Sequence, residues 1–325
     1  MKARIGLLAL FAVTVSALHG CLTVGKTDRH VVLSKRQIEA LLETAKPPQR
    51  FGFSVFRTKK GIAFDGGVRL HPQHHADVDF LAKTVPSLRI HGRGSWCKMD
   101  ALLDFASDTS FLEFSTAEDF GVFFLAFNGK GFPYRGNYNL GGVPAYAGVV
   151  TQLRIDQLFI EDVPFYVRMA AGDLGPMARG VEKPHVDAVL GYDVLRHFEF
   201  VQLDLRHGKV YFSAEVPYEP KEALLAATAK IVRAPGFGLA VKGSMDSFDL
   251  PVLLDFVGDF SFARGDVEVR STKELLIDNL AFRDVPTLLL PPNDSFPRIG
   301  RQILQNYVVT VCPKERVVYF ELRPE

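Results

Sequence analysis

Two carboxylates stand in the same phrase at two places in the chain: Asp104 in LLDFASDTSF (102–111) and Asp255 in LLDFVGDFSF (253–262). Each follows a Leu-Leu pair and precedes a Phe, and each has a second acid four residues on, Asp108 and Asp259. Two carboxylates held close together cannot both ionise readily, so such a pair shares a proton and can offer a base and an acid at one place. Nothing local brings Asp104 and Asp255 together, because 151 residues, about one domain length, separate them. Their meeting requires two repeated halves that fold alike and face each other. Asp108 and Asp259 are expected to bond local backbone at the turn that follows each phrase, with a separate acidic or cation site as the alternative.

The rest of the chain is organised as such a repeat. QLRIDQLFIEDVP (152–164) matches ELLIDNLAFRDVP (274–286). LGYDVLRHFEFVQLDLRHGKVYF (190–212) matches IGRQILQNYVVTVCPKERVVYF (299–320) with a one-residue slip, and LRIHGRGSWCKMDALLD parallels LAVKGSMDSFDLPVLLD. Four matched segments in unchanged order are more than ordinary apolar strands produce by chance. They define two homologous lobes, 85–213 and 235–325, with a linker over 214–234. Short runs of Val, Phe, Leu and Ile between Gly, Pro, Asn and Asp turns predict a mainly β protein. Lobe 1 is 29 residues longer after its Asp, and the surplus includes FNGKGFPYRGNYNLGGVPAYAG (127–148), whose Gly, aromatic and turn residues predict a projecting hairpin. Ahead of the lobes, Ser34 and Gln37 form a capping-box start for a short helix with Ile38, Leu41 and Leu42 on one face, stopped at Lys46-Pro47-Pro48.

A chain of 325 residues that is 47% hydrophobic can bury a large core. A formal net charge of +1 gives no electrostatic reason for nucleic acid or an anionic surface as partner. Lys2 and Arg4 precede an uncharged run from Ile5 to Leu18, closed by Leu18-His19-Gly20-Cys21. That is the order of a secretory signal peptide over residues 1–20, and the run falls short of the roughly 20 residues a helix needs to span a bilayer. The closing residues resemble a bacterial lipobox, which implies removal of the signal and lipidation of Cys21, with simple secretion as the alternative. The expectation is an exported protein of the bacterial cell envelope, periplasmic or on the surface, held to the membrane through Cys21. Residues 21–84 then serve as tether and N-terminal extension. Cys97 and Cys312 remain, to form a disulfide or stay as two buried thiols.

A duplicated β chain with an Asp after Leu-Leu in each half, a hairpin after the first Asp and LGYDVL later in the lobe resembles the aspartic proteases, each lobe being similar to the retropepsin type. The motifs that carry the resemblance are the Gly turns at Gly92 and Gly243, the aspartates Asp104 and Asp255, and the hydrophobic-Gly turns Leu190-Gly191 and Ile299-Gly300. They cover nearly all of 85–325. The resemblance implies a bilobal acid-protease fold and an aspartic-type endopeptidase. Asp104 and Asp255 would activate one water between them, one as base and the other, protonated, polarising the scissile carbonyl, without metal or organic cofactor. The lobe 1 hairpin would close over a peptide or protein substrate as a flap, with Tyr134 and Tyr138 as contacts and Ala106 and Val257 beside the dyad. Two internal lobes imply a monomer.

The family has Asp-Thr-Gly where this chain has Asp104-Phe105-Ala106 and Asp255-Phe256-Val257. Phe cannot supply the hydroxyl bond that holds the two family loops together, but Phe105 and Phe256 could pack as an aromatic pair across the lobes. Loss of the Thr and Gly residues motivates a competing expectation, a catalytically degenerate lipoprotein that binds peptides or proteins in the same cleft. HPQHHAD (71–77) brings His71, His74, His75 and Asp77 together, yet it lies in a Pro-containing segment without further matching ligands, so a solvated loop is expected there rather than a zinc site. Neither a phosphate-binding Gly loop nor a G-x-S-x-G elbow is present.

Overall fold

The strand Gly94–Asp104 shows why the Leu-Leu-Asp phrase occurs twice. Its early residues alternate, with Cys97 and Met99 buried and Lys98 exposed; from Ala101 to Leu103 every side chain is buried. Ala101 and Leu103 enter the main core while Leu102, on the opposite face, joins a second apolar cluster. In the strand Phe248–Leu254, Val252 and Leu254 likewise enter the main core and Leu253 a third cluster. A strand buried on both faces reads as a continuous apolar run, which is what the two Leu-Leu pairs record.

These strands belong to a computed structural model that describes residues 31–58, 61–71, 75–136, 142–171, 186–245, 248–265, 271–290 and 296–323. The protein is mainly β, with two six-stranded barrels. Lobe 1 closes through Ser87–Gly92, Gly94–Asp104, Phe111–Glu113, Ala145–Ile155, Leu158–Arg168 and Ala188–Gly191. Lobe 2 closes through Ala240–Met245, Phe248–Leu254, Phe262–Arg264, Ser271–Ile277, Leu280–Leu289 and Arg298–Ile299. The connectivity repeats. Ala188–Gly191 runs parallel to Gly94–Asp104 and antiparallel to Phe111–Glu113, so Asp104 lies opposite Gly191. Arg298–Ile299 sits in the same way between Phe248–Leu254 and Phe262–Arg264.

A further sheet of six strands draws three from each half and continues into lobe 2 through the pairing of Leu225–Val232 with Ala240–Met245. Its order is Leu225–Val232, Val317–Glu321, Val308–Cys312, Phe200–Asp204, Lys209–Ser213, His75–Asp79. The halves meet at Phe200–Asp204 and Val308–Cys312, with Gln202 opposite Thr310 and bonded to it by a 2.9 Å Nε2–Oγ1 hydrogen bond. The two outermost strands lie outside the lobe limits read from the sequence. His75–Asp79 precedes residue 85, and Leu225–Val232 falls inside the segment expected to be a linker. His75 stacks on Tyr211 at 5.8 Å within this sheet, while His71 contacts Glu161 at 3.2 Å. His74 lies outside the described residues. Among the described residues no group of three or more His, Cys, Asp or Glu could hold a metal ion.

The capping box at Ser34 and Gln37 forms, and the helix Lys35–Glu43 buries Ile38 against the core. After it, the hairpin of Phe53–Thr58 and Gly61–Gly66 lies on lobe 1, with Phe64 edge-on to Phe132 at 5.6 Å. Cys97 and Cys312 are both buried free thiols, and burial pushes Cys312 up to about 12. No helix among the described residues is long and apolar enough to cross a membrane.

Candidate functional site

Each Asp sits where a barrel strand breaks into a turn, and its carboxylate organises that turn. Asp104 Oδ1 accepts from the Ala106 N–H at 3.0 Å. Asp255 Oδ1 accepts from Val257 N–H at 3.1 Å and Gly258 N–H at 2.8 Å, and its own N–H donates to Ile299 O at 2.9 Å. Asp104 is partly exposed whereas Asp255 is buried.

The two turns meet. The rings of Phe105 and Phe256, both fully buried, pack edge-on with centroids 5.1 Å apart. The aromatic pair expected in place of a hydroxyl bond is therefore present. Backbone bonds reinforce the seam from the lobe 2 side, where Gly238 N–H donates to Ala106 O at 3.0 Å and Leu239 N–H to Phe105 O at 2.6 Å. A side chain at 238 would place its Cβ only 2.1 Å from Phe105 O, so this approach requires glycine.

The two carboxylates differ in what they face. Arg298 Nη1 lies 3.6 Å from Asp255 Oδ2, both side chains being only 10% exposed, and its guanidinium also lies over the Phe237 ring at 5.6 Å. Lobe 1 has Val189 two residues before Gly191, the place Arg298 takes before Gly300. The sequence holds this signal in the paired hydrophobic-Gly turns, but only the strand pairing shows that the position adjoins the Asp turn.

Ala106 and Val257 are both 3% exposed. Val257 packs with Leu102, Phe111 and Val189, which belong to lobe 1. Tyr134 is half-buried, edge-on to Phe111 at 5.0 Å and to Tyr166 at 5.1 Å. Backbone pairs flank it, Tyr134 N–H donating to Ala145 O and Ala147 N–H to Phe132 O. Tyr138 and Cys21 lie outside the described residues. Asp108 accepts from Thr109 Oγ1 at 3.0 Å, while Asp259 pairs with Arg301 at 3.3 Å and accepts from Gln302 Nε2 at 3.4 Å. Both thus engage side chains.

Behind each turn lies a further repeated contact. Ser110 donates through Oγ to Asp193 Oδ1 at 2.7 Å and through N–H to Oδ2 at 3.0 Å; in lobe 2, Ser261 Oγ donates to Gln302 Oε1 at 2.8 Å. Its sequence trace is the Ser shared by both opening phrases, six residues after each Asp. Burial pushes the Asp193 carboxyl up from 3.8 to about 7, the Ser110 bonds opposing this only in part. A carboxyl that keeps its proton in the folded state contributes stability below its unfolded value, and that contribution is lost as pH rises through the folded value. This group is therefore expected to lower stability progressively between about pH 4 and pH 7. Asp193→Asn, an uncharged amide like Gln302, should flatten that part of a Tm-against-pH curve. An unchanged slope in the variant would assign the titration elsewhere.

A cavity of about 680 Å³ opens beside the seam. Its walls come from the N-terminal hairpin, Tyr134, the Asp108–Thr109 turn, the segment from Tyr192 to His197, and residues 231–238. Neither Asp104 nor Asp255 lines it, but Gly238 does, and Gly238 is hydrogen-bonded to Ala106. The cavity is thus linked to the Asp104 turn through one of its lining residues.

The chain matches no protein-family model and no curated protein.

Proposed function

We propose that this chain is an aspartic-endopeptidase-like protein of bilobal retropepsin-like architecture, hydrolysing peptide bonds with water activated between Asp104 and Asp255. The observation that carries this reading is the Phe105–Phe256 contact, which joins two equivalent Asp turns across two barrels of matching connectivity. In the proposed reaction one carboxylate takes a proton from water as it attacks the peptide carbonyl, and the other, protonated, hydrogen-bonds the carbonyl oxygen. The proton then passes to the leaving amine. The hairpin bearing Tyr134 would cover the bound peptide. In this reading the protein is exported and anchored through lipidated Cys21, and works as a monomer without metal or organic cofactor.

One observation favours a second reading, a binding module that has lost turnover. Arg298 supplies Asp255 with a buried counter-charge that the dyad chemistry does not call for. The deciding measurement is cleavage of a mixed peptide library from acid to neutral pH by wild type, Asp104→Asn and Asp255→Asn. Peptidase action is expected in wild type and lost in both variants. Cleavage unchanged by both substitutions would remove the dyad assignment, and absence of cleavage by wild type at every pH would favour the binding module.

A further inference from the structure

The cavity beside the seam has an uneven charge. Four arginines line it, Arg135, Arg196, Arg233 and Arg316, against two acids, Asp108 and Asp193, in a chain whose formal net charge is only +1. Asp193 is half-buried and committed to Ser110. Arg135, Arg233 and Arg316 are exposed and have no ion-pair partner among the described residues. Arg196 does have one, and its identity is informative. It pairs at 3.4 Å with Asp65 of the N-terminal hairpin, so a carboxylate carried on an extended strand already docks on this wall. Burial pushes the Tyr192 hydroxyl up to about 12, and the positive charges of Arg196 and Arg316 oppose this in part.

The remaining wall is apolar and aromatic, with Phe64, Tyr134 and Phe237 among its residues. A volume of about 680 Å³ falls within the range of small-ligand sites. Guanidinium groups around an apolar floor match carboxylates spaced along a chain that also carries apolar side chains. We propose that this cavity binds an extended acidic peptide segment, with its apolar side chains on the aromatic wall and its carboxylates on Arg233, Arg316 and Arg135. The proposal rests on reading the chain as peptide-handling. It adds the substrate class, in a cavity linked to the Asp104 turn through Gly238.

The test is binding rather than cleavage, so it succeeds or fails independently of peptidase activity. Labelled peptides with glutamates flanking a central phenylalanine, and the same peptides with glutamines, are titrated into mature Asp104→Asn protein by fluorescence anisotropy. The glutamate peptides should bind about tenfold more tightly at low ionic strength, a preference that shrinks as salt screens the charges. Arg233→Glu combined with Arg316→Asn should abolish the preference; Asn is chosen because residue 316 has φ 62°, a left-handed conformation Asn tolerates. Both positions are exposed, so an unchanged Tm and circular dichroism spectrum will show that the variant folds. Equal affinity for the two peptide sets, or a preference that survives in the folded double variant, would overturn the proposal. So would full competition by a free dicarboxylate at matching concentration, which would point to a small acid instead of a peptide.

Discussion

Phe105→Ala and Phe256→Ala are each expected to lower the free energy of unfolding by about 3–5 kcal/mol, the range for emptying a buried Phe site. Both rings are wholly buried, and the glycine-lined, hydrogen-bonded turns around them leave little room for collapse into the space. The double variant should cost less than the sum by about 0.5–1.5 kcal/mol, because the second truncation removes a ring that has already lost its partner. Urea unfolding of wild type, both single variants and the double variant closes the cycle. Strict additivity would show that the two rings share a location without stabilising each other. The same variants should lose any peptidase activity more steeply than stability, since the contact sets the relation between the Asp104 and Asp255 turns. That comparison is made well below each variant's Tm.

Arg298→Val is expected to destabilise the protein by about 3–5 kcal/mol, because it strands Asp255 as a buried carboxylate without its counter-charge. Valine is the informative replacement, since lobe 1 already carries Val189 at the matching place. Removing the charge as well, in Arg298→Val with Asp255→Asn, should recover most of the loss, and thermal unfolding at neutral pH measures both. A double variant no more stable than Arg298→Val would mean that Arg298 acts through packing on Phe237 rather than through Asp255. The single variant also separates the two functional readings. If wild type is silent on peptides and folded Arg298→Val cleaves them, the guanidinium is what suppresses the dyad. If both are silent, the binding-module reading is favoured.

Much of the fold was legible because the chain contains its own comparison. Leu103 and Leu254 face the main core, Leu102 and Leu253 the opposite side, and the repeated phrase records that shared environment. The hydrophobic-Gly turns were legible for a related reason. A Cβ at Gly191 would lie 2.5 Å from Thr109 O and one at Gly300 2.1 Å from Phe260 O, so both lobes keep glycine there. The capping box at Ser34 needed only four consecutive residues.

What the sequence left open depends on pairing across long separations. In sequence, His75–Asp79 reads as part of a tether and Leu225–Val232 as part of a linker, because nothing local records which edge each one joins, and both join the six-stranded sheet. Two cysteines left a disulfide and two thiols as alternatives, and the structure holds both as buried free thiols. By itself the sequence determined that two like halves each present an Asp at a turn, because that information is local and written twice. Only the tertiary structure decided that Phe105 meets Phe256, that Arg298 faces Asp255, and that four arginines gather around one cavity, because each of these joins segments whose order in the chain does not fix their distance in space.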